Sequence, residues 1–418
     1  MKISDIRPEV YDMAAKAQER LTGRFAEIDR VAEINTRRVM EAFQNNRVAE
    51  ACFAGTTGYG YDDLGRETLD KIYAEIFGTE SALVRIGFVN GTHALTAAMF
   101  ALVKPGDTIV AVTGMPYDTL RSAIGISGDC HGSLKFYGIN YAQVDLAADG
   151  GPDYAAIAEA AAKPNVTAVM IQRSRGYDNR KALSVDEIGR ICETVKAVNP
   201  EINIMVDNCY GEFTDIKEPT HVGADIIAGS LIKNPGGGLA PTGGYVAGKK
   251  ELVERAAMRL TTPGIGGECG STLGNNRLLF QGLFMAPHIV AQALKTACFC
   301  AAMMETLDIP TSPTPEESRS DIIQMVKLGS VENMKRFCLG IQSGAPVDSY
   351  VTPEPWEMPG YDCPVIMAAG AFIQGSSIEL SADGPAREPY TVYMQGGLTY
   401  ESGKLGIMMA VSAMLDRQ

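Results

Sequence analysis

The sequence of 418 residues has only four histidines and no pair of cysteines in a CxxC arrangement. Its nine cysteines are odd in number and irregularly spaced, and no histidine lies three to five residues from another histidine or from a cysteine cluster. Structural zinc sites need such closely spaced ligands, so we expect no metal site. The same spacing indicates reduced thiols in a cytosolic protein rather than a disulfide framework.

Basic residues are fewer than acidic ones. The sequence has 37 Lys and Arg and 50 Asp and Glu, which gives a net charge of −13. This balance, with no Lys/Arg-rich run, argues against nucleic-acid binding and against a membrane-surface role. No run of 18 uncharged apolar residues predicts a membrane span, and the charged start MKISDIRPEVYDMAAKAQERL has no apolar signal core. We therefore expect a cytoplasmic protein. The absence of GxxxxGK[ST] disfavours a P-loop nucleotide binder.

What the sequence does contain is an alternation of short apolar, β-branched runs with helical patterns. The runs that predict strands are 82–88, 108–113, 134–140, 168–172, 202–208, 225–231 and 244–248. Near-continuous apolar strands separated by helices are typical of an α/β protein whose sheet is covered on both faces. The pattern therefore predicts a seven-stranded, mostly parallel sheet.

The rest of the chain predicts helices at both ends and a second, smaller domain. Residues 1–45 read as helices, and a long helix is predicted at about 276–304, with Pro287 marking a kink or break. Beyond a Pro/Ser-rich connector at 308–321, shorter strands and a final helix at 400–416 predict an α+β domain. The predicted division is an N-terminal helical arm 1–50, a large domain 51–290 and a C-terminal domain 291–418.

Polar residues that follow the first two predicted strands are candidates for a binding site, because ligands of open α/β sheets bind outside the carboxyl ends of the strands. Gly91 and Thr92 open a helix, where backbone N–H groups can bind a phosphate. Capping by Asn90 or Thr92 would explain the same residues. Tyr117 ends the next strand and is either a ligand-stacking ring or an ordinary rim tyrosine.

The fifth and sixth predicted strands end in charged residues. Asp207 closes the apolar run INIMVDN, and a buried carboxylate needs a partner such as a metal, a lysine, a capped helix or a protonated heterocycle. Ser230 and Lys233 close the next run, directly before NPGGG, where the lysine is either a surface charge or a reactive amine.

A phosphate cradle, an aromatic ring, a buried acid and a lysine, in this chain order, are together the set that pyridoxal phosphate requires. The lysine forms a Schiff base with the cofactor. The acid keeps the pyridine nitrogen protonated so that the ring can accept electrons, while the aromatic side chain stacks on the ring. The combination is more specific than any of its members.

In these motifs the sequence resembles the fold-type I pyridoxal-phosphate enzymes of cysteine and methionine metabolism. Within that group it is most similar to the methionine γ-lyase-like and cystathionine β-lyase branch called aluminium resistance proteins. The resemblance runs from about residue 55 to the C-terminus. The motifs that carry it, in the family's order, are GYGYDDLGRETL, NGTHA, GMPYDTL, VDNCYGEF and GSLIKNPGGG.

The resemblance implies a role for each residue of the large domain that the strand ends single out. It implies Lys233 as the Schiff-base lysine and as the general base at the substrate Cα, with a pKa lowered by burial and by the cationic cofactor ring. It implies Asp207 as the partner of the pyridinium nitrogen and Tyr117 as the stacking ring. The implied phosphate ligands are Gly91, Thr92 and Ser230.

The resemblance also implies a homodimer or homotetramer with shared active sites. In the family a tyrosine of the GYGYDDLG segment reaches the cofactor phosphate of the neighbouring subunit, which indicates Tyr61 first and Tyr59 second. The family has a phosphate-binding arginine two residues after that tyrosine, but Asp63 stands there in this sequence. Arg66 is the nearest arginine.

The substrate carboxylate needs a bidentate partner, for which arginine is suited. The resemblance places it in the C-terminal domain, where Arg387 in the SADGPAREPY loop is the candidate and a solvated loop arginine is the alternative. A second, weaker set is Arg173, Ser174 and Arg175 after the fourth strand. His93 directly follows the phosphate motif. It lies either near the cofactor ring or in the first turn of the helix with contacts only to neighbouring residues.

The function that the resemblance implies is β- or γ-elimination from a sulfur-containing amino acid such as cystathionine, methionine or cysteine, which yields a 2-oxo acid and ammonia. The same cofactor and lysine also serve aldol cleavage, transamination and racemisation, so these reactions stay open as alternatives. A non-catalytic stress-response relative is a further alternative.

Overall fold

The computed structural model describes residues 1–128, 131–357 and 363–416, so Cys130 lies outside the described residues. The chain divides into two compact units, one formed by Asn35–Phe284 and the other by Met1–Ile34 together with Met285–Gln418. This grouping joins the first 34 residues to the C-terminal part, whereas the sequence predicts a separate arm over 1–50. The predicted boundaries at 50 and 290 stay predictions.

The larger unit is built on a seven-stranded sheet in the order β1-β7-β6-β5-β4-β2-β3. Its strands are β1 (Ser81–Arg85), β2 (Thr108–Ala111), β3 (Asn140–Gln143), β4 (Val166–Gln172), β5 (Asn203–Asp207), β6 (Ile226–Ser230) and β7 (Gly244–Gly248). The strands from β3 to β6 in this order pair in parallel, and only β7 runs antiparallel to its neighbours. The predicted seven-stranded, mostly parallel sheet is therefore confirmed.

Helices connect these strands and cover the sheet. They are α3 (Leu64–Ile76), α4 (Gly91–Leu102), α5 (Asp118–Ile124), α6 (Tyr154–Ala161), α7 (Val185–Val198) and α8 (Lys250–Leu260). The apolar residues of α4 and α8 join those of the central strands in one buried cluster. Each central strand is buried along nearly its whole length, as parallel strands covered on both faces require.

The third predicted strand, 134–140, is wrong in position. Lys135–Tyr137 form a short 3-10 helix that ends at Gly138, whose φ of 77° lies in the left-handed region. Leu134 and Ile139 are buried, but Phe136 is more than half exposed, so the apolar run does not line one face of a sheet. The strand β3 begins only at Asn140.

The second unit contains a five-stranded antiparallel sheet in the order β10-β11-β12-β9-β8. Its strands are β8 (Thr311–Ser312), β9 (Ile323–Lys327), β10 (Val365–Ala369), β11 (Ser381–Pro385) and β12 (Thr391–Gln395). The remaining helices of the chain are α1 (Pro8–Arg20), α2 (Thr22–Asn45), α9 (Asn276–Glu305), α10 (Val331–Ser343) and α11 (Tyr400–Leu415). The smaller α+β part predicted for the C-terminal region is confirmed, with β8 and β12 added.

The long helix α9 continues through Pro287, so a break at this proline is not present. Among the described helices, α9 alone is long and apolar enough, by length and composition, to cross a membrane. However, 78% of its most apolar 18-residue window is buried inside the structure, which is typical of a core helix.

Within the second unit, α10 and α11 pack at a distance that only glycine permits. A Cβ added to Gly340 of α10 would overlap the backbone of Ala410 in α11, and one added to Gly344 would lie 2.6 Å from the Cα of Gly406. The two backbones therefore touch directly, without side chains between them.

This packing predicts opposite effects for one substitution at two helical glycines. Gly340→Ala should lower the free energy of unfolding by about 1–3 kcal/mol, because overpacking outweighs the gain in helix propensity. Gly23→Ala in α2 is the matched control, because its added Cβ meets nothing within 4 Å. It should raise stability by about 0.5–1 kcal/mol. Urea unfolding followed by circular dichroism measures both, and a stabilised Gly340→Ala would contradict the close packing.

Candidate active site

The carboxyl ends of β4, β5 and β6 bring the candidate residues to one edge of the sheet. Gln172 at the end of β4 pairs in register with Asp207 at the end of β5, and Asp207 pairs with Ala228 of β6. Asp207 and Ser230 are both buried. This edge is where open parallel sheets bind their ligands.

Lys233 lies in the turn after β6, and its Nζ is 3.9 Å from the centre of the Tyr210 ring. The backbone N–H of Lys233 donates to the carbonyl of Ser230 at 3.4 Å. The glycines that follow serve different purposes: a Cβ at Gly236 would overlap the Leu231 carbonyl oxygen, while Gly237 has a left-handed φ of 53°. The turn that presents the lysine therefore depends on glycine at both positions.

The protonation of Lys233 is set by its immediate neighbours. Burial alone would lower the pKa of Lys233, but the surrounding groups of Tyr210, Cys209 and Asp207 raise it, and the net direction is upward. The lowered pKa expected from the sequence includes a cationic cofactor ring beside the amine. With the chain's own residues alone, Lys233 is held as an ammonium.

Asp207 is a buried acid with one backbone donor, because the N–H of Cys209 donates to its Oδ1 at 3.1 Å. Burial raises the pKa of Asp207, and the opposing effect of the Lys233 charge is smaller. A carboxyl group in this condition is ionised most readily when a cation binds beside it. The protonated nitrogen of a pyridine ring is such a cation.

The start of α4 packs against the end of β6. A Cβ added to Gly91 would lie 3.2 Å from the Cβ of Ser230 and 3.7 Å from the Sγ of Cys209, so the glycine leaves a small cradle between helix and strand. Asn90 caps the helix by accepting the N–H of His93 at 2.9 Å. The capping and the cradle are thus both present, and the helix N-terminus is suited to an anion.

Thr92 and Tyr117 extend this site toward α5. The Thr92 hydroxyl is hydrogen-bonded to the Thr119 hydroxyl at 2.9 Å. The Tyr117 N–H donates to the Gln172 side chain at 2.9 Å, and the Tyr117 ring lies at the glycine turn of Gly176. Tyr117 is therefore held at the end of β4, next to the strand that carries Asp207.

His93 forms its contacts within the first turn of α4. Its Nδ1 accepts the N–H of Val89 at 3.3 Å, and its ring meets Phe88 edge-on. Burial lowers the pKa of His93, with a further lowering by the charge of Arg259. Both contacts are with residues that directly precede α4, and the role of His93 beside the cofactor stays a prediction.

The residues assembled at this edge fit pyridoxal phosphate. The cradle at Gly91 and Ser230 suits a phosphate, the buried Asp207 suits a protonated ring nitrogen, and Lys233 supplies the amine. Among residues 1–128, 131–357 and 363–416, no group of three or more His, Cys, Asp or Glu is arranged to hold a metal ion. The amine, the buried acid and the helix N-terminus at this edge suit an organic, anionic cofactor.

Two residues of this site, Cys209 and Tyr210, were missed by sequence reasoning. Burial raises the pKa of the Cys209 thiol well above its usual value, so the thiol stays neutral where it lies against the cradle. Tyr210 has a left-handed φ of 71°, as does Phe213 with 62°. A left-handed φ destabilises a non-glycine residue by roughly 1–3 kcal/mol. No pattern in the sequence CYGEF predicts this conformation.

A fully buried polar network lies behind this strained turn. Arg173 donates to the Asn208 side chain at 2.7 Å, to Glu218 at 3.3 Å and to the Thr214 hydroxyl at 3.1 Å. The Asn208 amide and the Phe213 N–H also donate to Glu218, at 3.0 and 2.8 Å. The expectation that Arg173 contacts substrate is wrong, because its guanidinium is committed to these partners. Arg175 and Ser174 are likewise buried.

Glu212 belongs to the same buried region. It accepts the Tyr245 hydroxyl at 2.8 Å, while its backbone carbonyl accepts the amide of Asn234, the residue after Lys233. Among the described residues, its second carboxyl oxygen has no hydrogen-bond partner. Burial raises the pKa of Glu212 to about 8, so it is a neutral acid at physiological pH.

Tyr59 and Tyr61 lie together in one exposed segment. The two rings stack at 5.7 Å and are 73% and 58% exposed. Within the described residues, neither forms a hydrogen bond or ring contact with Lys233. A hydrogen bond with Cys269 raises the pKa of Tyr61. The exposure of both rings leaves them available to another molecule.

Asp63 and Arg66 hold this segment in place. Asp63 caps α3 by accepting the Arg66 N–H at 2.9 Å, and it also accepts the hydroxyls of Thr56 and Thr272. Although burial opposes them, these bonds lower the pKa of Asp63. The Arg66 guanidinium donates to the carbonyls of Gly60 and Gly270, so it fastens the loop 55–60 to the Gly-rich stretch 264–277. A cavity of about 480 Å³ lies beside these residues.

Arg387 belongs to the second unit, in the connection between β11 and β12. Its backbone N–H donates to the Pro385 carbonyl at 2.8 Å, and its own carbonyl accepts the Tyr390 N–H at 2.7 Å. The residue is exposed. Its assignment to the substrate carboxylate stays a prediction.

Comparison with known proteins places these residues in a family context. A family model described as methionine gamma-lyase matches residues 10–415. The crystal structure of a carbon-sulfur lyase involved in aluminum resistance from Clostridium novyi NT is 52% identical, covers 98% of this chain and 96% of its own, and has a TM-score of 0.94. The uncharacterized protein YnbB of Bacillus subtilis (strain 168) is 47% identical over 97% of this chain and 96% of its own length.

A more distant structure shows the fold. The pyridoxal-5'-phosphate dependent protein YhfS from Escherichia coli is only 16% identical, but it covers 91% of this chain and 95% of its own with a TM-score of 0.62. The architecture predicted from the sequence, a fold-type I sheet with a smaller α+β part, is confirmed.

The raised pKa of Glu212 predicts a pH-dependent stability. Between its usual value of 4.5 and about 8, the folded chain keeps a proton that the unfolded chain releases. The stability from this group is therefore fully present below 4.5 and is lost as pH rises through about 8. The slope is at most about 1.4 kcal/mol per pH unit.

Glu212→Gln removes this titration, so the variant should lose less stability than the wild type as pH rises through this window. Urea unfolding at a series of pH values compares the two proteins, with Glu254→Gln on the exposed face of α8 as the matched control. Parallel pH profiles for Glu212→Gln and wild type would contradict the neutral state of Glu212.

Proposed function

Because the chain belongs to the methionine gamma-lyase family, we propose that it is a carbon–sulfur lyase that eliminates a β- or γ-substituent from a sulfur-containing amino acid. Pyridoxal phosphate is its cofactor. Cystathionine, methionine and cysteine are the substrates of this chemical class. Elimination releases a thiol or thiolate, and hydrolysis then yields a 2-oxo acid and ammonia.

The observation that supports this proposal most strongly is the meeting of Lys233, Asp207 and the Gly91 cradle at one edge of the sheet. The two charged residues are 26 positions apart in the sequence, yet β5 and β6 are neighbours in the sheet. An amine, a buried acid and an anion-binding helix start are the groups that the cofactor needs.

When bound, pyridoxal phosphate supplies an electron sink that stabilises negative charge at the substrate Cα. Asp207 would hold a proton at the ring nitrogen, since the buried carboxylate and the N–H⁺ satisfy each other. Tyr117 would stack on the ring. The phosphate would be bound by the N-terminus of α4 at Gly91 and Thr92, with the Ser230 hydroxyl as a further donor.

Lys233 would have two tasks. Its Nζ would hold the cofactor covalently, and its amine would accept the proton from the substrate Cα. Accepting that proton turns the amine into an ammonium. The surroundings of Lys233 favour the ammonium, because Asp207 and Tyr210 raise its pKa.

Two further roles concern residues that are not part of this cluster. Arg387 is proposed to bind the substrate carboxylate, because a guanidinium offers two parallel donors. Tyr61, with Tyr59 beside it, is proposed to reach the cofactor phosphate of a second subunit, which its exposure permits. The protein would then be a cytoplasmic homodimer or homotetramer with shared active sites.

Lys233→Ala is expected to abolish covalent cofactor binding and to reduce turnover by at least 10²-fold, since the base is lost together with the attachment point. Mass spectrometry of the borohydride-reduced protein measures the attachment, and 2-oxo acid release measures turnover. Lys250→Ala, which removes an exposed lysine of α8, is the matched control. A pyridoxyl group on any other lysine would refute the assignment.

Asp207→Asn is expected to retain the cofactor but to lose most of its kcat, because an amide cannot keep the ring nitrogen protonated. The variant and wild type are compared by visible absorbance for the cofactor and by product release for turnover. Unchanged turnover in Asp207→Asn would show that this acid does not serve the electron sink.

The reaction itself is tested with a panel of cystathionine, methionine, cysteine and threonine. The proposal expects a thiol and a 2-oxo acid from at least one of the first three substrates. Release of an aldehyde from threonine alone would indicate aldol cleavage, and amino transfer without thiol release would indicate a transaminase. Either result would overturn the lyase proposal while leaving the cofactor assignment intact.

A further inference from the structure

The Tyr210 side chain contacts Lys233 through its ring face as well as through its hydroxyl group. Nζ of Lys233 lies over the face of the Tyr210 ring, 3.9 Å from its centre. An ammonium at this distance is attracted by the negative face of an aromatic ring, and the attraction grows as both groups are removed from water. Both residues are partly buried at the carboxyl edge of the sheet.

The position of the Tyr210 ring is fixed by the backbone rather than by chance. Tyr210 has a left-handed φ of 71°, which a tyrosine adopts only when its surroundings impose it. The next residue, Gly211, donates its N–H to the Asn208 carbonyl at 3.0 Å, and a Cβ there would overlap the Arg173 side chain. The turn therefore has no room to relax.

The buried network closes the other side of the same turn. Glu218 accepts the Phe213 N–H at 2.8 Å and the Asn208 amide at 3.0 Å, so both ends of the turn are tied to one carboxylate. Strain held in this way at a candidate active site points to a function for the residue that bears it. The side chain that this strain aims is the Tyr210 ring.

We propose that Tyr210 is a positioning residue whose ring face receives the Lys233 amine as an ammonium whenever the lysine is not covalently engaged. The inference deepens the proposed function, because it concerns the same lysine, but it is testable without turnover. The ring holds Nζ at one place near Asp207 instead of leaving it free on a flexible stem. It also stabilises the lysine after the amine has accepted a proton.

Other groups near Nζ act on the same equilibrium. Asp207 from β5 and Cys209 from the following turn face the lysine, and Arg180 acts on Asp207. Burial keeps the Cys209 thiol neutral, so Asp207 is the group among these that can supply a negative charge at neutral pH. The ring contact is distinguishable from the charge effect because Tyr210 can be changed without altering Asp207.

The test measures the titration of Lys233 in the full-length chain before cofactor is added. Acetic anhydride transfers an acetyl group to the neutral amine, forming the N–C bond as acetate leaves and a proton is released to solvent. The ammonium has no lone pair and does not react. Competitive labelling across neutral to alkaline pH, read by mass spectrometry of the Lys233 peptide, therefore gives the apparent pKa of the amine.

Tyr210→Leu should lower the apparent pKa of Lys233 by about one pH unit and increase its labelling at neutral pH about tenfold. Tyr210→Phe keeps the ring face but loses the hydrogen bond between the tyrosine hydroxyl and Lys233, so its profile should shift less than that of Tyr210→Leu. Tyr210→Asn is a second ring-free variant, because asparagine tolerates a left-handed backbone. Circular dichroism confirms that each variant is folded.

The matched control is Tyr154→Leu, which removes a ring that carries the Arg190 guanidinium at 4.2 Å elsewhere in the same unit. It should leave Lys233 labelling unchanged. An unchanged Lys233 profile in both ring-free variants would overturn the proposal, as would a Tyr210→Phe profile shifted as far as that of Tyr210→Leu. Because labelling needs no cofactor, a lack of lyase activity would not affect this result.

Discussion

The ion pair between Arg173 and Glu218 is the constraint on which the site depends. Neither side chain has measurable exposure, and the closest nitrogen–oxygen distance is 3.3 Å. Removing one member of such a pair leaves an uncompensated charge in the interior, at a cost of about 3–5 kcal/mol. Because Arg173 directly follows β4 and Glu218 ends the segment 208–218 after β5, the pair joins the end of one strand to the connection that follows the next. The pair stabilises the turn between them, in which Tyr210 and Phe213 have unfavourable left-handed φ values.

The chemistry at the sheet edge follows from this order of construction. Parallel strands bring their carboxyl ends to one edge, so Asp207 and Lys233 become neighbours although they are separated in the sequence. The turn after β5 then has to pass close to the lysine without filling the cradle at Gly91. Glycine at position 91 keeps the cradle open where two backbones approach. The buried network holds the strained turn close to the lysine.

Much of this arrangement could be predicted from the sequence, because it rests on patterns that short stretches carry. Apolar runs predicted the central strands, and the polar residues that end them gave Asp207 and Lys233. The run 134–140 failed because apolar character alone does not distinguish a strand from a 3-10 turn ended by Gly138. Arg173 was misjudged because its partner Glu218 is 45 residues away. Tyr210 was missed because tyrosine rarely adopts a left-handed φ, so its residue type gave no indication of the turn. The roles of Tyr61 and Arg387 stay predictions, since they depend on a second subunit and on a substrate.

Gly236 limits which substitutions the lysine-bearing turn can accept during evolution. Its missing side chain is what lets the chain double back beneath the Leu231 carbonyl, so every other amino acid would push the lysine-bearing turn away from the sheet. New specificity in descendants of this protein would therefore have to arise outside this turn. The reactive turn would be inherited unchanged.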